Sequence, residues 1–556
     1  MGKRSKQKKT KRATGLEAQT VSRGDSQYFY WLILAFLVLS TVLIRFRLLS
    51  VPLERDEGEF AYMGQLILQG IPPYLISYNM KLPGIYAAYA LIMSLFGQTV
   101  EGIHLGFSIV NAATIVLVYL LAKQLYDSYA SLVAAASFAM LSLSPSLLGT
   151  SAHASHFVLL PALGGILVML KAIDSNKLRL LFWSGILLGL SFLMKQPGIF
   201  FVVFAFLYVL LSLLRLPNVS VRLAAKGCSL YLLGAVIPFL LTCAILYRAG
   251  VLEKFWFWTF SYASQYVSEI SLSLGVKIFF IGLGEAIGRM YLLWGIGGLG
   301  IVALFRDRIA RTRAAFVSGF AVFSFLAVCP GFYFRQHYFI FFLPALALLI
   351  GIAISWLRRA ALERRPGWGY LPTALFLAVF CLGIILDRSF YFDLTPVQVS
   401  RGMYGLSPFP ESIEIAKYIQ AHSKKEDKVA VLGSEPQIFF YSDRHSATGY
   451  IYTYPLMEDQ KYALKMQKEM IEEIEKAQPS YLIFVKLLTS WGVRENSEKY
   501  IFRWYETYTR KYFNLVGIVD VSQDRTVYRW GDEAARYSPR SQSFVVIYKR
   551  NESKPN

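Results

Sequence analysis

Between residues 28 and 386, apolar runs long enough to cross a bilayer follow one another with only short polar breaks. Nothing else in the sequence constrains the fold as tightly. In hydrocarbon each backbone N–H and C=O needs a partner within the protein, and repeated apolar runs of about twenty residues meet that condition as helices. Eleven runs qualify, at roughly 28–49, 101–122, 128–147, 155–171, 179–194, 198–214, 228–247, 290–305, 314–330, 338–356 and 369–386. With 55% hydrophobic and 17% charged residues, the 556-residue chain reads as a polytopic α-helical membrane protein, not as a soluble multidomain one.

The net charge of +21 does not point to nucleic acid, because its basic residues cluster at residues 1–27 and in loops between apolar runs. Lys171, Lys177 and Arg179, then Arg215, Arg222 and Lys226, then Arg306 to Arg313, then Arg358 to Arg365 all fall on the side of the basic tail. Lys and Arg in short loops mark the cytoplasmic face, which puts the N-terminus inside. The opposite face then receives residues 50–100, 148–154, 195–197, 248–289, 331–337 and everything after 387. The first run ends in Arg45 and Arg47 without a small-residue cleavage pattern, so it is expected to stay as a span of a cytoplasmic-membrane protein. Cys228, Cys243, Cys329 and Cys381 lie in or at the edges of apolar runs, which excludes a disulfide framework for the soluble part.

On the outer side, directly after the first span, stands Glu54-Arg55-Asp56-Glu57-Gly58-Glu59. Asp56 and Glu59 have the spacing of a capping box for a helix running to Gly70, so Asp56 has a purely structural explanation. Against it, five charged side chains crowd beside hydrocarbon, where an ionisable side chain is a functional hypothesis by default. Lys81 follows, then an apolar run over Ile85–Phe96 that is too short to span and is expected to lie at the interface. The break Lys195-Gln196-Pro197-Gly198 and the stretch Phe332 to Tyr338 bring further cations to the same face at Lys195 and Arg335, with His337 beside the latter.

Glu253 to Tyr266 carries Trp258 and Tyr262 and serves either as an aromatic belt or as a surface for stacking on sugar. Gly295-Ile296-Gly297-Gly298-Leu299-Gly300 formally matches the dinucleotide fingerprint, but it lies inside a span with no strand before it, which favours close helix packing. His153 and His156, three apart at a helix end, are a weak metal signal. After Asp387 short alternating helix and strand patterns indicate a soluble α/β domain over 387–556, with strands near 428–432, 481–485, 515–520, 526–530 and 543–549 and a long helix over 457–476.

A sugar arriving on a polyprenyl phosphate would need a base for the acceptor hydroxyl and cations for the departing phosphate. Asp56 can supply the first, and Lys81, Lys195 and Arg335 the second. The same face is out of reach of cytoplasmic nucleotide sugars, which makes a lipid-linked donor the natural partner. A flippase for such lipids is the competing reading, but the charges concentrate at one face and no internal repeat is seen.

Arg55-Asp56-Glu57 with Tyr62, Lys81-Leu82-Pro83, Gly185 to Gly189 with Lys195-Gln196-Pro197, and His337-Tyr338 with Leu343-Pro344-Ala345 together resemble the GT-C glycosyltransferases of the protein O-mannosyltransferase type, glycosyltransferase family 39. The resemblance implies a GT-C fold of about eleven spans over 28–386 and transfer of a sugar from a polyprenyl phosphate to a hydroxyl on protein, lipid or glycan. It also implies Asp56 as base with Glu57 its neighbour, and Lys81 at the lipid phosphate. Tyr62, His337, Trp258 and Tyr262 complete the candidate site as substrate contacts. Lys81 is followed by Leu82-Pro83 where two prolines are usual. The outer turn before the fourth span holds Ser151, His153 and His156 in place of an acidic residue, which leaves a divalent metal open.

Overall fold

An apolar run can satisfy its backbone in lipid only by coiling, and the computed structural model shows that outcome throughout the first two thirds of the chain. It describes residues 28–215, 220–523 and 525–551; the basic tail expected over 1–27 lies outside them. Among the described residues, eight helices are long and apolar enough to cross a membrane: Tyr28–Arg47 (α1), Val100–Leu125, Ala154–Asp174, Gln196–Arg215, Val221–Arg248, Leu272–Arg306, Gln336–Arg364 and Pro366–Leu386. The protein is therefore a multi-pass membrane protein.

The expected count of eleven spans is not established by these lengths. Ser128–Leu143, Arg179–Met194 and Ala314–Leu326 are helical but only 16, 16 and 13 residues long. The run at 290–305 is continuous with an upstream apolar helix, Leu272–Ile287, which sequence reading had left within an external segment. Gly288 at φ +44° marks the joint between the two.

The Gln336–Arg364 helix is the centre of the bundle, with 83% of its apolar window buried against 17% for α1. The glycine fingerprint packs here. A Cβ on Gly300 would stand 2.2 Å from the Leu349 carbonyl oxygen, and one on Gly297 would stand 2.2 Å from the Leu346 side chain. These glycines let two helices approach closely and bind no nucleotide.

Between α1 and Val100–Leu125 lie two shorter helices, α2 (Arg55–Leu68) and α3 (Gly84–Phe96), which pack on each other. The C-terminal part carries a five-stranded sheet in the order β1-β2-β5-β3-β4, formed by Val429–Leu432, Tyr481–Lys486, Phe513–Asp520, Val527–Trp530 and Phe544–Arg550. β1 and β2 run parallel and the other neighbours antiparallel. The long helix expected over 457–476 breaks into Tyr454–Met457 and Ala463–Ala477, because Gln460 turns its side chain onto the Pro455 carbonyl and the Tyr462 N–H. Leu53, Phe60 and Tyr62 share one apolar core with Val429, Ile438 and Phe439, so the sheet domain is fused to α2.

Candidate active site

The charged loop resolves into two faces of one helix. Glu54 is the N-cap of α2: its carboxylate accepts from the Glu57 N–H at 3.0 Å, and the Glu57 carboxylate accepts from the Glu54 N–H at 3.1 Å. That is a capping box two residues upstream of the pair expected from the sequence, and it releases Asp56 and Glu59 from that duty. Glu57 Oε1 also accepts from the Ala152 N–H at 2.6 Å and lies 3.0 Å from His104 Nε2. Glu57 thus points into the bundle, away from its neighbour Asp56.

Three residues apart, Asp56 and Glu59 share the other face and meet Lys81. The Lys81 ammonium lies 2.9 Å from Asp56 Oδ1 and 2.6 Å from Glu59 Oε2, and Tyr86 donates to Glu59 Oε1 at 2.7 Å. Burial opposes the charge on Asp56, but the adjacent Lys81 ammonium together with the His337 and His153 rings holds the carboxyl well below the usual range. Glu59 is deeper, and there burial prevails over Lys81 and pushes it up to about 7. The loop is held from behind by Gln196, which donates to the Met80 carbonyl at 2.6 Å. Gly84 presses on the end of Arg179–Met194, where a Cβ would meet the Leu193 carbonyl oxygen at 2.4 Å. The expected turn at Lys195 therefore forms, as the 3-10 turn Gln196–Gly198.

Asp56 and Lys81 open onto a cavity of about 480 Å³ between the bundle and the sheet domain, within the range of small-molecule sites. Lys195, Arg335, His337, Trp258 and Tyr262 line it, and Tyr452 and Tyr454 enter from the sheet domain. Among the described residues neither Lys195 nor Arg335 has a carboxylate partner. Lys195 reaches only Ser155 Oγ at 3.4 Å and lies 4.4 Å from the Tyr338 ring centre, and Arg335 stands over Tyr333 at 5.6 Å. Burial pushes the Lys195 ammonium down to about 7, with Asp56 opposing the shift.

Residues 81–241 match the family described as "Dolichyl-phosphate-mannose-protein mannosyltransferase". The structure is similar to ArnT from Cupriavidus metallidurans bound to undecaprenyl phosphate, at 14% identity and a TM-score of 0.58, covering 94% of this chain and 99% of that one. It is also similar to the oligosaccharyltransferase AglB from Archaeoglobus fulgidus in complex with an inhibitory peptide and a dolichol-phosphate. That match has 11% identity, a TM-score of 0.52 and coverage of 95% and 77%. The chain has the GT-C fold of these proteins. No curated protein matches the sequence.

In this cavity the histidine pair differs from the one the sequence suggested. His156 packs against Phe107 at 4.8 Å, whereas His153 stacks on His337, with ring centres 4.2 Å apart and planes at 13°. Ligand atoms of Asp56, His153 and His337 lie within 4.8 Å of one another. Both His153 nitrogens lack a hydrogen-bond partner among the described residues, and burial pushes that ring down to about 4, leaving it neutral with a free lone pair. Two imidazoles and a carboxylate fit a divalent cation.

Of the other candidates, Tyr62 is not brought to the cavity. It is fully buried, its hydroxyl accepting from the Ser446 N–H at 2.8 Å and its ring on Phe439. Sequence reading missed His104, Tyr452 and Tyr454. A lone histidine in a span and tyrosines in a distant soluble domain carry no local pattern that would connect them to Asp56.

Proposed function

We propose that this protein transfers a sugar from a polyprenyl-phosphate donor to a hydroxyl acceptor at the outer face of the cytoplasmic membrane, with Asp56 as general base. The observation that carries the reading is the carboxylate of Asp56: it is freed from capping, ionised, and opens onto a cavity whose cations Lys195 and Arg335 have no carboxylate partner among the described residues. A lipid phosphate supplies the missing anion. The acceptor hydroxyl gives its proton to Asp56 as its oxygen bonds to the anomeric carbon, and the bond from that carbon to the phosphate oxygen breaks. The leaving group is a polyprenyl phosphate monoester, and the charge it gains falls between Lys195 and Arg335, with Lys81 nearby. Trp258 and Tyr262 offer ring faces for the sugar. A divalent cation, if bound, would be held by Asp56, His153 and His337 and would add positive charge near the phosphate.

Purified protein given radiolabelled sugar as the polyprenyl phosphate, and separately as the nucleotide, is expected to transfer only from the first. Efficient transfer from the nucleotide form without lipid carrier contradicts the proposal.

A further inference from the structure

The sheet domain does more than cover the cavity. Its 434–454 strip lies along the N-terminus of α2 and is fastened there at several points. Arg55 donates to the Tyr454 hydroxyl at 2.6 Å and pairs with the buried Glu435 at 2.9 Å. Tyr441 accepts from the Leu53 N–H at 2.9 Å, and the Gly449 carbonyl accepts from the Tyr78 N–H at 2.6 Å. A Cβ on Gly58 would stand 2.6–2.9 Å from Gln437, so the helix meets the domain with no side chain between them.

Within this strip Tyr452 points at the proposed base. Its hydroxyl donates to Asp56 Oδ1 at 2.8 Å, and its ring lies under the Lys81 ammonium at 5.3 Å and beside Tyr454 at 5.8 Å. Lys81 donates to the same Oδ1 at 2.9 Å. Two donors, one on the membrane part and one on the sheet domain, therefore hold a single carboxylate oxygen. Among the described residues Oδ2 has no donor, and a carboxylate fixed through one oxygen keeps the other turned to one place. A general base works only when its free lone pair stands within hydrogen-bond reach of the proton it takes.

We propose that Tyr452 is a positioning residue for Asp56, so that the C-terminal domain completes the catalytic site by orienting the base. The inference rests on the reading of Asp56 given above. It assigns the domain a part in catalysis that does not depend on the identity of the acceptor.

Tyr452→Phe in the full chain keeps the ring on Lys81 and Tyr454 and removes only the donor. Its kcat is expected to fall about ten-fold, the worth of one hydrogen bond to a charged group. The KM for the polyprenyl-phosphate donor is expected to stay within about two-fold, because the proposed phosphate ligands Lys195 and Arg335 are untouched and the substituted ring still supports Lys81. Thermal unfolding is measured alongside, and an unchanged midpoint shows that the domain stays docked. Unchanged kcat overturns the inference, provided Asp56→Asn is inactive in the same assay. If Asp56→Asn keeps wild-type turnover, the base assignment itself falls and this inference falls with it.

Discussion

Two clusters of charge sit at opposite ends of the same helices, and they differ in what they leave unsatisfied. The helix Gln336–Arg364 begins beside the cavity and carries Arg359 near its far end. There Arg359 pairs with Asp307 and, at 3.1 Å, with Asp127. Ser355 donates to Asp127 at 2.8 Å, and Tyr126 donates to Asp307 at 2.7 Å. Each carboxylate also caps a helix, Asp127 at the Ala130 N–H and Asp307 at the Ile309 N–H. The neighbouring cavity measures about 10 Å³, room for a single water. Every charge in that cluster has a partner. At the other end, among the described residues, Asp56 Oδ2 has no donor and Lys195 and Arg335 have no carboxylate partner, and a cavity of about 480 Å³ lies between them. Buried charge that is fully paired joins helices together; charge held beside a cavity without partners is prepared for a ligand.

Paired substitutions break or sharpen this contrast. Asp56→Asn is expected to lower turnover about 10²–10⁴-fold with unchanged membrane yield, the usual loss for a general base. Asp307→Asn is expected to leave turnover per folded molecule unaltered. Equal turnover losses in the two variants would erase the distinction. Lys195→Ala and Arg335→Ala are each expected to raise the donor KM about ten- to hundred-fold with little effect on the acceptor, following the worth of a charge-assisted hydrogen bond. Steady-state kinetics with the donor varied reads this directly, and unchanged donor dependence in both variants removes them from the site. Asp307→Asn is instead expected to lower unfolding stability in detergent by about 1–3 kcal/mol, because Arg359 and Tyr126 lose an acceptor.

The smallest effect concerns pH. Burial holds the Lys195 ammonium at about 7, so its charge is present below that value and fades as pH rises through it. Donor KM is therefore expected to climb above about pH 7 in the wild type and to stay flat in Lys195→Arg, whose guanidinium keeps its proton. Parallel curves for both proteins would show that the Lys195 charge does not bind the donor.

Much of this arrangement was legible in the sequence because its signals are local. Membrane spans announce themselves as apolar runs, and Asp56, Lys81, Lys195 and Arg335 stand out as charges beside them. The alternating pattern after residue 387 likewise gives the α/β domain and its five strands to within a few residues. What stayed hidden depends on contacts between distant segments. The capping box shifted from Asp56–Glu59 to Glu54–Glu57, whose Glu57 is also held by the Ala152 N–H and His104 from distant segments. Tyr62 carries the family motif yet turns into the core shared with Phe439, about 380 residues downstream. His153 pairs with His337 and not with His156, since the helix starting at Ala154 turns His156 toward Phe107. Helix length also misleads at 128–143, 179–194 and 314–326, where burial among neighbouring helices lets shorter segments stand within the bundle.

The central claim is that the cavity receives a lipid phosphate beside Asp56, and a structure of the protein determined with polyprenyl phosphate bound tests it most directly. The account predicts the phosphate within hydrogen-bond distance of Lys195 Nζ and the Arg335 guanidinium, with the sugar space between it and Asp56 Oδ2. A phosphate bound outside this cavity, with Lys195 and Arg335 left without an anion, would contradict it.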